Sequence, residues 1–236
     1  MANASIYAIA AMAGCQRWES SLNPNIWESN IVATWDTVHY YDAQGNGVGG
    51  YGLGQWTNTY EPSTGQVAWR LRDMYDWCVA NNKDITSGSS QLEYLVHENV
   101  WFNISHVGSN AQTLTQFLQT TSTNLDGLVE DFLANWEGVP GDQLATRIRY
   151  AHEIIDYIRL HENDDPSTVH WQSSSTWILP LSETMNNALC YYFTFQGYDP
   201  GPGPGPGPGP GPGPGPGSSD KFKFWMYLRN HKIRKL

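Results

Sequence analysis

Proline and glycine alternate strictly over residues 200–217, and this run limits where the chain can fold. Every second residue lacks an amide hydrogen, so the run can form neither a helix nor a central strand. Collagen requires glycine at every third position, which the alternation does not supply. The run therefore predicts an extended, solvated tether, and a packed core is expected only in the residues that precede it.

The composition favours a folded, acidic protein. Hydrophobic residues make up 40% of the 236 residues, which is enough to bury a core, whereas charged residues make up only 15%. The net charge of −10 argues against nucleic acid as the main partner. The charge is unevenly distributed, because residues 218–236 carry +5 and everything before them carries −15.

The cysteines and the N-terminal segment exclude several classes of protein. Cys15, Cys78 and Cys190 cannot all pair within one chain, so a disulfide scaffold is excluded and buried thiols are expected. The N-terminal segment lacks a basic region, and Ser5 and Tyr7 interrupt its apolar residues, so we expect cytoplasmic synthesis without a cleaved signal peptide. No stretch approaches the roughly 18 apolar residues of a membrane span. The histidines show no metal-ligand spacing, so neither a metal nor a cofactor is expected.

Changes in composition divide the chain into five segments. They are a compact helical domain (1–162), a polar connector (163–179), a short helix (180–199), the Pro-Gly tether (200–217) and a basic, aromatic tail (218–236). Within the first segment, apolar residues at intervals of three and four predict helices.

The predicted helices cover both ends of the first segment. They begin near Ser5, near Leu92, near Leu125 and near Asp142. Residues 22–66 are instead rich in Asn, Gly, Pro and aromatic side chains, which favours loops or a small hairpin. The predicted fold is mainly α, a helical bundle with one glycine-rich and aromatic insertion.

Three short segments carry the candidate chemistry. The first reads RWESSLNPN and places Glu19 and Ser20 at a helix end before an Asn-Pro turn. The second reads GGYGLGQWT over residues 49–57, and the third reads WEG over residues 136–138. Glycines let a backbone approach a sugar ring where a Cβ would collide, and a glutamine amide can bond to an N-acetyl group or a water.

The order and spacing of these segments resemble goose-type lysozymes and soluble lytic transglycosylases, with Glu137 where those transglycosylases usually carry Asn. The segment LEYLVHE, which ends at Glu98, and an arginine of the last long helix, Arg147 or Arg149, extend the resemblance to the phage tail lysozyme family. It covers about residues 1–160 and implies a lysozyme-like α+β fold. No part of it covers the tether or the tail.

The resemblance implies that Glu19 is the general acid that protonates the leaving oxygen between N-acetylmuramic acid and N-acetylglucosamine. Such an acid must keep its proton near neutral pH, although a free Glu titrates near about 4.3. Desolvation by aromatic neighbours raises a carboxyl pKa, as it does for the lysozyme glutamate that lies against a tryptophan. Here Trp18 is adjacent to Glu19, and Trp56 lies in the second segment.

The remaining site residues are assigned on the same basis. Hydrolysis requires a second carboxylate to activate water, and Asp36 and Glu137 are the main candidates. Spacing leaves Glu28, Asp42 and Glu98 open as well. A lytic transglycosylase needs no second carboxylate, because the C6 hydroxyl of its substrate attacks. Hydrolysis is favoured because Asp36 and Asp42 lie in a loop where goose-type enzymes can place an acidic residue. The expected substrate-binding residues are Ser20, Tyr51, Gly52, Gln55, Trp56 and Trp136.

The expected partners are peptidoglycan glycan strands and other phage tail-tip proteins. The basic tail is the segment expected to dock onto those proteins, and its aromatic and cationic residues also allow contact with a membrane or an anionic polymer. The expected location is a virion tail tip acting on the bacterial cell wall. Two alternatives remain: a glycan-binding module without activity, and a protein whose working part is the basic tail.

Overall fold

The computed structural model describes the chain in five stretches, which are residues 4–28, 35, 49–61, 66–173 and 178–198. The predictions for Asp36, Asp42, the Pro-Gly tether and the basic tail lie outside the described residues.

Within those stretches the fold is mainly helical, which confirms the predicted fold class. In chain order the elements are α1 (Ile6–Ser20), β1 (Asn58–Glu61), β2 (Gln66–Trp69), α2 (Arg70–Ala80), α3 (Gly88–Glu98), α4 (Leu114–Leu118), α5 (Leu125–Phe132), a π-helical turn (Leu133–Glu137), α6 (Leu144–His161), a 3-10 turn (Pro166–Thr168) and α7 (Leu181–Phe195). The two strands form an antiparallel hairpin in which Asn58 pairs with Trp69. No described helix is long and apolar enough to cross a membrane.

Helix α1 lies at the centre of the fold. Its residues from Ala8 to Gln16 are all buried, as expected of a helix that is surrounded on every side. Gly14 allows the closest approach, because a Cβ at this position would lie 2.8 Å from the Cβ of Ala151 on α6. The helix ends where Ser21 and Leu22 adopt left-handed backbone conformations. The close approach at Gly14 packs α1 directly against α6.

Helices α5 and α6 bury apolar residues at the predicted helical spacing. In α5 these are Leu125, Leu128, Val129 and Phe132, and α6 buries Ala151, Ile154, Ile155 and Ile158. The side chain of Asn124 caps α5 by accepting a hydrogen bond from the Gly127 amide. Helix α5 then continues directly into the π-helical turn that carries the third sequence segment.

Helix α7 packs against α1 and α6. It buries one side that includes Leu189, Cys190 and Phe193. The Tyr191 hydroxyl donates a hydrogen bond to the side-chain oxygen of Gln16, and the Asn187 amide donates to the Leu22 carbonyl at 2.8 Å. The helix predicted after Pro180 is therefore present, and it packs against α1 near Gln16. The boundaries of the five sequence segments stay predictions.

Candidate active site

A buried arginine lies where α1, the π-helical turn and α6 meet. Arg147 is fully buried, and its guanidinium contacts three carboxylates. Nη2 lies 2.6 Å from Glu19 Oε1 and 3.1 Å from Asp142 Oδ2. Nη1 lies 3.1 Å from Glu137 Oε2 and donates to the Cys15 carbonyl at 3.0 Å. The arginine thus joins the first and third sequence segments.

The three carboxylates differ in their access to solvent. The side chain of Glu137 is 1% exposed, that of Glu19 is 17% exposed and that of Asp142 is 40% exposed. Glu19, in the last turn of α1, therefore has one side on the buried cation and another near the surface. Glu137 is enclosed, and Asp142 is the most exposed of the three.

Charge around the cluster affects the neighbouring ionisable groups. Burial alone would lower the pKa of Arg147, but the negative charges of Glu137 and Glu19 outweigh it and raise that pKa. Arg147 therefore stays cationic at every working pH. Burial, followed by the charge of Glu137, raises the pKa of the Cys15 thiol well above its ordinary value, so Cys15 is a neutral thiol and not a nucleophile.

The glycine-rich loop contacts the end of α1 next to Glu19. The Ser20 hydroxyl is within hydrogen-bonding distance of two carbonyl oxygens, that of Gln16 at 3.0 Å and that of Leu53 at 3.1 Å. Ser20 is buried, so it fixes the loop to the helix and presents no hydroxyl to solvent. The loop that carries Gln55 is in this way held beside the residue that follows Glu19.

Gln55 has a strained backbone and a fixed amide. Its φ angle is 49°, a conformation that residues other than glycine rarely adopt. Its Nε2 donates to the Gly52 carbonyl at 2.7 Å. The acceptor end of the amide, the Oε1 atom, is buried and has no hydrogen-bond donor among the described residues.

Gly52 and Gln91 hold the turn of this loop. Gly52 has φ +74°, and a Cβ there would lie 2.4 Å from Gln91 Oε1. Gln91 Oε1 accepts from the Leu53 amide at 2.8 Å, and its Nε2 donates to the Pro24 carbonyl at 2.6 Å. Gln91 on α3 thus connects the Asn-Pro turn of the first segment with the glycine loop of the second.

The aromatic residues expected to bind sugar lie in the core. Tyr51 and Trp136 are fully buried and Trp56 is 1% exposed, so in this structure they offer no free face to a sugar ring. The Tyr51 hydroxyl donates to Asn25 Oδ1 at 2.7 Å. Trp18, by contrast, is 43% exposed. The buried aromatic side chains therefore belong to the core that supports the site.

Two further carboxylates that the sequence offers as the second catalytic group are bound to other partners. Glu98 is 4% exposed and forms an ion pair with Arg70. Glu28 is exposed, and its Oε2 accepts a hydrogen bond from the Gly50 amide at 2.8 Å. The described residues contain no group of His, Cys, Asp and Glu side chains arranged to hold a metal ion.

Sequence reasoning did not identify Asp142 or Gln91 as part of this site. Asp142 lies two residues before the start of α6, and only its predicted position at a helix start drew attention to it. Gln91 immediately precedes the LEYLVHE segment, but a lone glutamine carries no signal of its contacts. Arg147 and Arg149 were equivalent in the sequence, and the structure places Arg147 in the cluster and Arg149 at the surface.

The comparisons with known proteins give one match. The family model described as phage tail lysozyme matches residues 1–158, which include α1, the glycine loop and the cluster around Arg147. No curated protein matches the chain.

Proposed function

The chain belongs to the phage tail lysozyme family, and we propose that Glu19 is the general acid with which it cleaves peptidoglycan. Membership supports a glycosidase-type enzyme that degrades peptidoglycan. The proposed bond is the β-1,4 linkage between N-acetylmuramic acid and N-acetylglucosamine, and the proposed place of action is a virion tail tip during local penetration of the wall.

The position of Glu19 carries the proposal. A general acid must reach the leaving oxygen of the substrate and must also be held in a fixed orientation. Of the three carboxylates on Arg147, Glu19 makes the shortest contact with the buried guanidinium, at 2.6 Å, and it remains partly exposed, at 17%. Glu137 is too enclosed to meet a glycan, and Asp142 is more exposed, at 40%, and makes a longer contact of 3.1 Å.

Opposing charges act on the proton of Glu19: Arg147 favours its ionised form, whereas the neighbouring carboxylates Glu137 and Asp142 oppose ionisation. Three ionised carboxylates around one guanidinium would leave an excess of negative charge in a partly buried region, and like charges oppose ionisation of the last of them. A bound sugar would displace water from the exposed side of Glu19 and strengthen this effect. After Glu19 gives up its proton, Arg147 is placed to stabilise the carboxylate that forms.

Gln55 supplies a complementary contact for the substrate. A buried carbonyl oxygen without a hydrogen bond costs about 1–3 kcal/mol, and an amide N–H from an N-acetyl group would satisfy it. Because Nε2 is already bonded to Gly52, the proposed contact uses the oxygen of Gln55 as acceptor. The glycine loop would then orient the sugar, and Glu19 would act on its glycosidic oxygen.

We propose hydrolysis with Asp36 as the base that activates water, with Glu137 and Trp136 supporting the site from inside. Lytic transglycosylation is the second candidate. The observation that favours it is that two of the described candidate bases, Glu137 and Glu98, are buried in ion pairs and cannot meet a water. A transglycosylase needs no such group, since the C6 hydroxyl of the substrate attacks.

The test compares Glu19→Gln with Glu153→Gln. Glu153 is the matched control, because it is also paired with an arginine at 2.7 Å and is partly exposed. We expect the Glu19 variant to fold normally and to lose activity about 100-fold or more, and the Glu153 variant to remain active. Mass spectrometry of digested peptidoglycan separates reducing muramic ends, from hydrolysis, from 1,6-anhydro ends. A folded Glu19 variant with more than a tenth of the activity contradicts the proposal.

The place of action has a separate test. We propose that the basic tail, residues 218–236, docks the enzyme onto other tail-tip proteins, since this segment carries +5 on an otherwise acidic chain. Replacing Lys221, Lys223 and Arg229 with glutamate should remove the protein from purified virions, detected by immunoblotting, and leave lytic activity intact. Unchanged incorporation would contradict docking, and loss of vesicle binding alone would indicate membrane contact instead.

A further inference from the structure

A second buried ion pair contacts the glycine-rich segment through Trp56. Arg70, the first residue of α2, and Glu98, the last residue of α3, form a bidentate contact with distances of 2.5 Å (Nε to Oε1) and 2.7 Å (Nη2 to Oε2). Their side chains are 8% and 4% exposed. The pair uses the final residue of the LEYLVHE segment, to which the reaction itself assigns no role.

Each member of the pair also holds one tryptophan. Glu98 Oε2 accepts a hydrogen bond from Trp56 Nε1 at 3.3 Å. The Arg70 guanidinium lies over the Trp136 ring, 4.9 Å from its centroid, within the range of a cation–π contact. The two indoles meet edge to face with centroids 5.6 Å apart. One ion pair therefore fixes the orientation of two neighbouring indoles.

The two tryptophans are chain neighbours of site residues. Trp56 follows Gln55, and Trp136 precedes Glu137. The glycine loop also packs directly on Trp136, because a Cβ on Gly54 would lie 2.4 Å from its ring. Displacement of either indole would therefore move the backbone of Gln55 or of Glu137, and Glu137 contacts Arg147, which holds Glu19.

Stability alone is a weak explanation for this pair. Replacing a buried ion pair with apolar residues of similar volume is often neutral or stabilising, because the charges lose their hydration on burial. What the ion pair adds is direction: the carboxylate orients one indole N–H, and the guanidinium orients the face of the other. Burial would lower the pKa of Arg70, but Glu98 outweighs it and raises that pKa, so Arg70 stays charged across the working range.

We propose that Arg70 and Glu98 are positioning residues, which hold Trp56 and Trp136 so that Gln55 and the Glu137–Arg147–Glu19 chain keep their catalytic geometry. Neither residue touches the substrate. This inference rests on the proposed function, in which Glu19 is the acid and Gln55 binds the glycan.

The test uses the double variant Arg70→Met/Glu98→Leu in the full-length protein. We expect it to fold, because no buried charge is left unpaired, and to show a kcat about 10- to 100-fold lower than wild type on soluble peptidoglycan fragments, because small misplacements of catalytic groups are costly. The matched control is Lys83→Met/Glu93→Leu, which removes an exposed ion pair of 2.9 Å that also involves α3, and its kcat should be unchanged.

A second variant separates positioning from simple destabilisation. Arg70→Met/Glu98→Gln keeps a hydrogen-bond acceptor for Trp56 and leaves no buried charge unpaired. We expect a smaller fall in kcat than in Arg70→Met/Glu98→Leu, with KM within about threefold of wild type and a shift in tryptophan fluorescence. Full kcat in folded Arg70→Met/Glu98→Leu would overturn the proposal. If Arg70→Met/Glu98→Leu does not fold, full kcat in Arg70→Met/Glu98→Gln would overturn it. Failure of the proposed function is distinct, because wild type and the Lys83/Glu93 control would then release no glycan fragments.

Discussion

Replacement of Arg147 by methionine tests how the cluster is held together. Methionine has a similar length but donates no hydrogen bond, so the variant leaves Glu137 as a carboxylate at 1% exposure without its cation. It also removes the donor to the Cys15 carbonyl. We expect the folded state to lose stability and Glu19 to lose its fixed orientation.

The magnitude follows from the burial of both partners. Removing one member of a buried ion pair costs about 3–5 kcal/mol, which is a large share of the roughly 5–15 kcal/mol by which domains are stable. The double variant Arg147→Met/Glu137→Gln removes the buried charge and leaves only an amide to satisfy, at about 1–3 kcal/mol. We therefore expect the double variant to be more stable than Arg147→Met, although equally inactive.

The assay is urea unfolding at pH 7 and at pH 4. In wild type, the raised pKa of Arg147 means that this group does not titrate between these values. In Arg147→Met the native state binds the Glu137 proton more tightly than the unfolded state does, so its stability falls as pH rises through and above about 4.3. The deficit relative to wild type should therefore be small at pH 4 and full at pH 7.

Two results would refute this reasoning. One is a deficit below about 1 kcal/mol at pH 7, which would show that Glu137 is not stranded as a buried charge. The other is a deficit of the same size at both pH values, which would place the loss in packing and not in charge.

Three other predictions follow from single contacts. In thermal unfolding, Gly52→Ala should destabilise the protein clearly more than Gly141→Ala does. Both glycines have positive φ, but only a Cβ at Gly52 meets a neighbour, Gln91, at 2.4 Å. Equal losses of stability would show that the contact with Gln91 is unimportant. Burial raises the pKa of Cys78 to about 12, so its thiolate forms only as pH rises towards that value. At pH 8 the native protein should therefore react with a thiol reagent at Cys78 far more slowly than the denatured protein does. Equal reaction rates would contradict this. Asp131→Asn should lower the free energy of unfolding in urea by about 2–4 kcal/mol. The two buried carboxylate oxygens of Asp131 accept hydrogen bonds from the amides of residues 107, 108 and 109. A loss below about 1 kcal/mol would contradict this.

The helices were predictable because their apolar residues recur at helical spacing. Leu125 and Leu128, for example, are buried in α5 as their spacing indicates. Helix α1 is different: its sequence predicts one apolar side, yet it is buried all round because small residues such as Gly14 let other helices approach from several directions. Periodicity reports the pattern of one helix and does not report how many neighbours it has.

Site residues that belong to a sequence motif could be predicted, whereas residues brought to the site only by helix packing could not. Glu19 and Gln55 came from their motifs, and their roles stay proposals. Arg147 and Arg149 are two residues apart, which places them on nearly opposite sides of a helix, and only the packing of α6 on α1 determines that the first is buried while the second is 59% exposed. Trp56 and Trp136 were expected at the sugar, but burial depends on contacts distant in sequence.

Helix α7 links helix α1 mechanically to the chain that follows it. It lies beyond the residues that the family model matches, and it grips α1 through Tyr191 and Asn187. Tension applied to the chain after residue 198 would reach α7 first and α1 next. Pulling α7 away would remove its contacts with α1, which carries Glu19. We therefore expect that in single-molecule stretching lysis is lost at a lower force than the one that unfolds the remaining helices. Unchanged lysis after release of α7 would exclude this coupling.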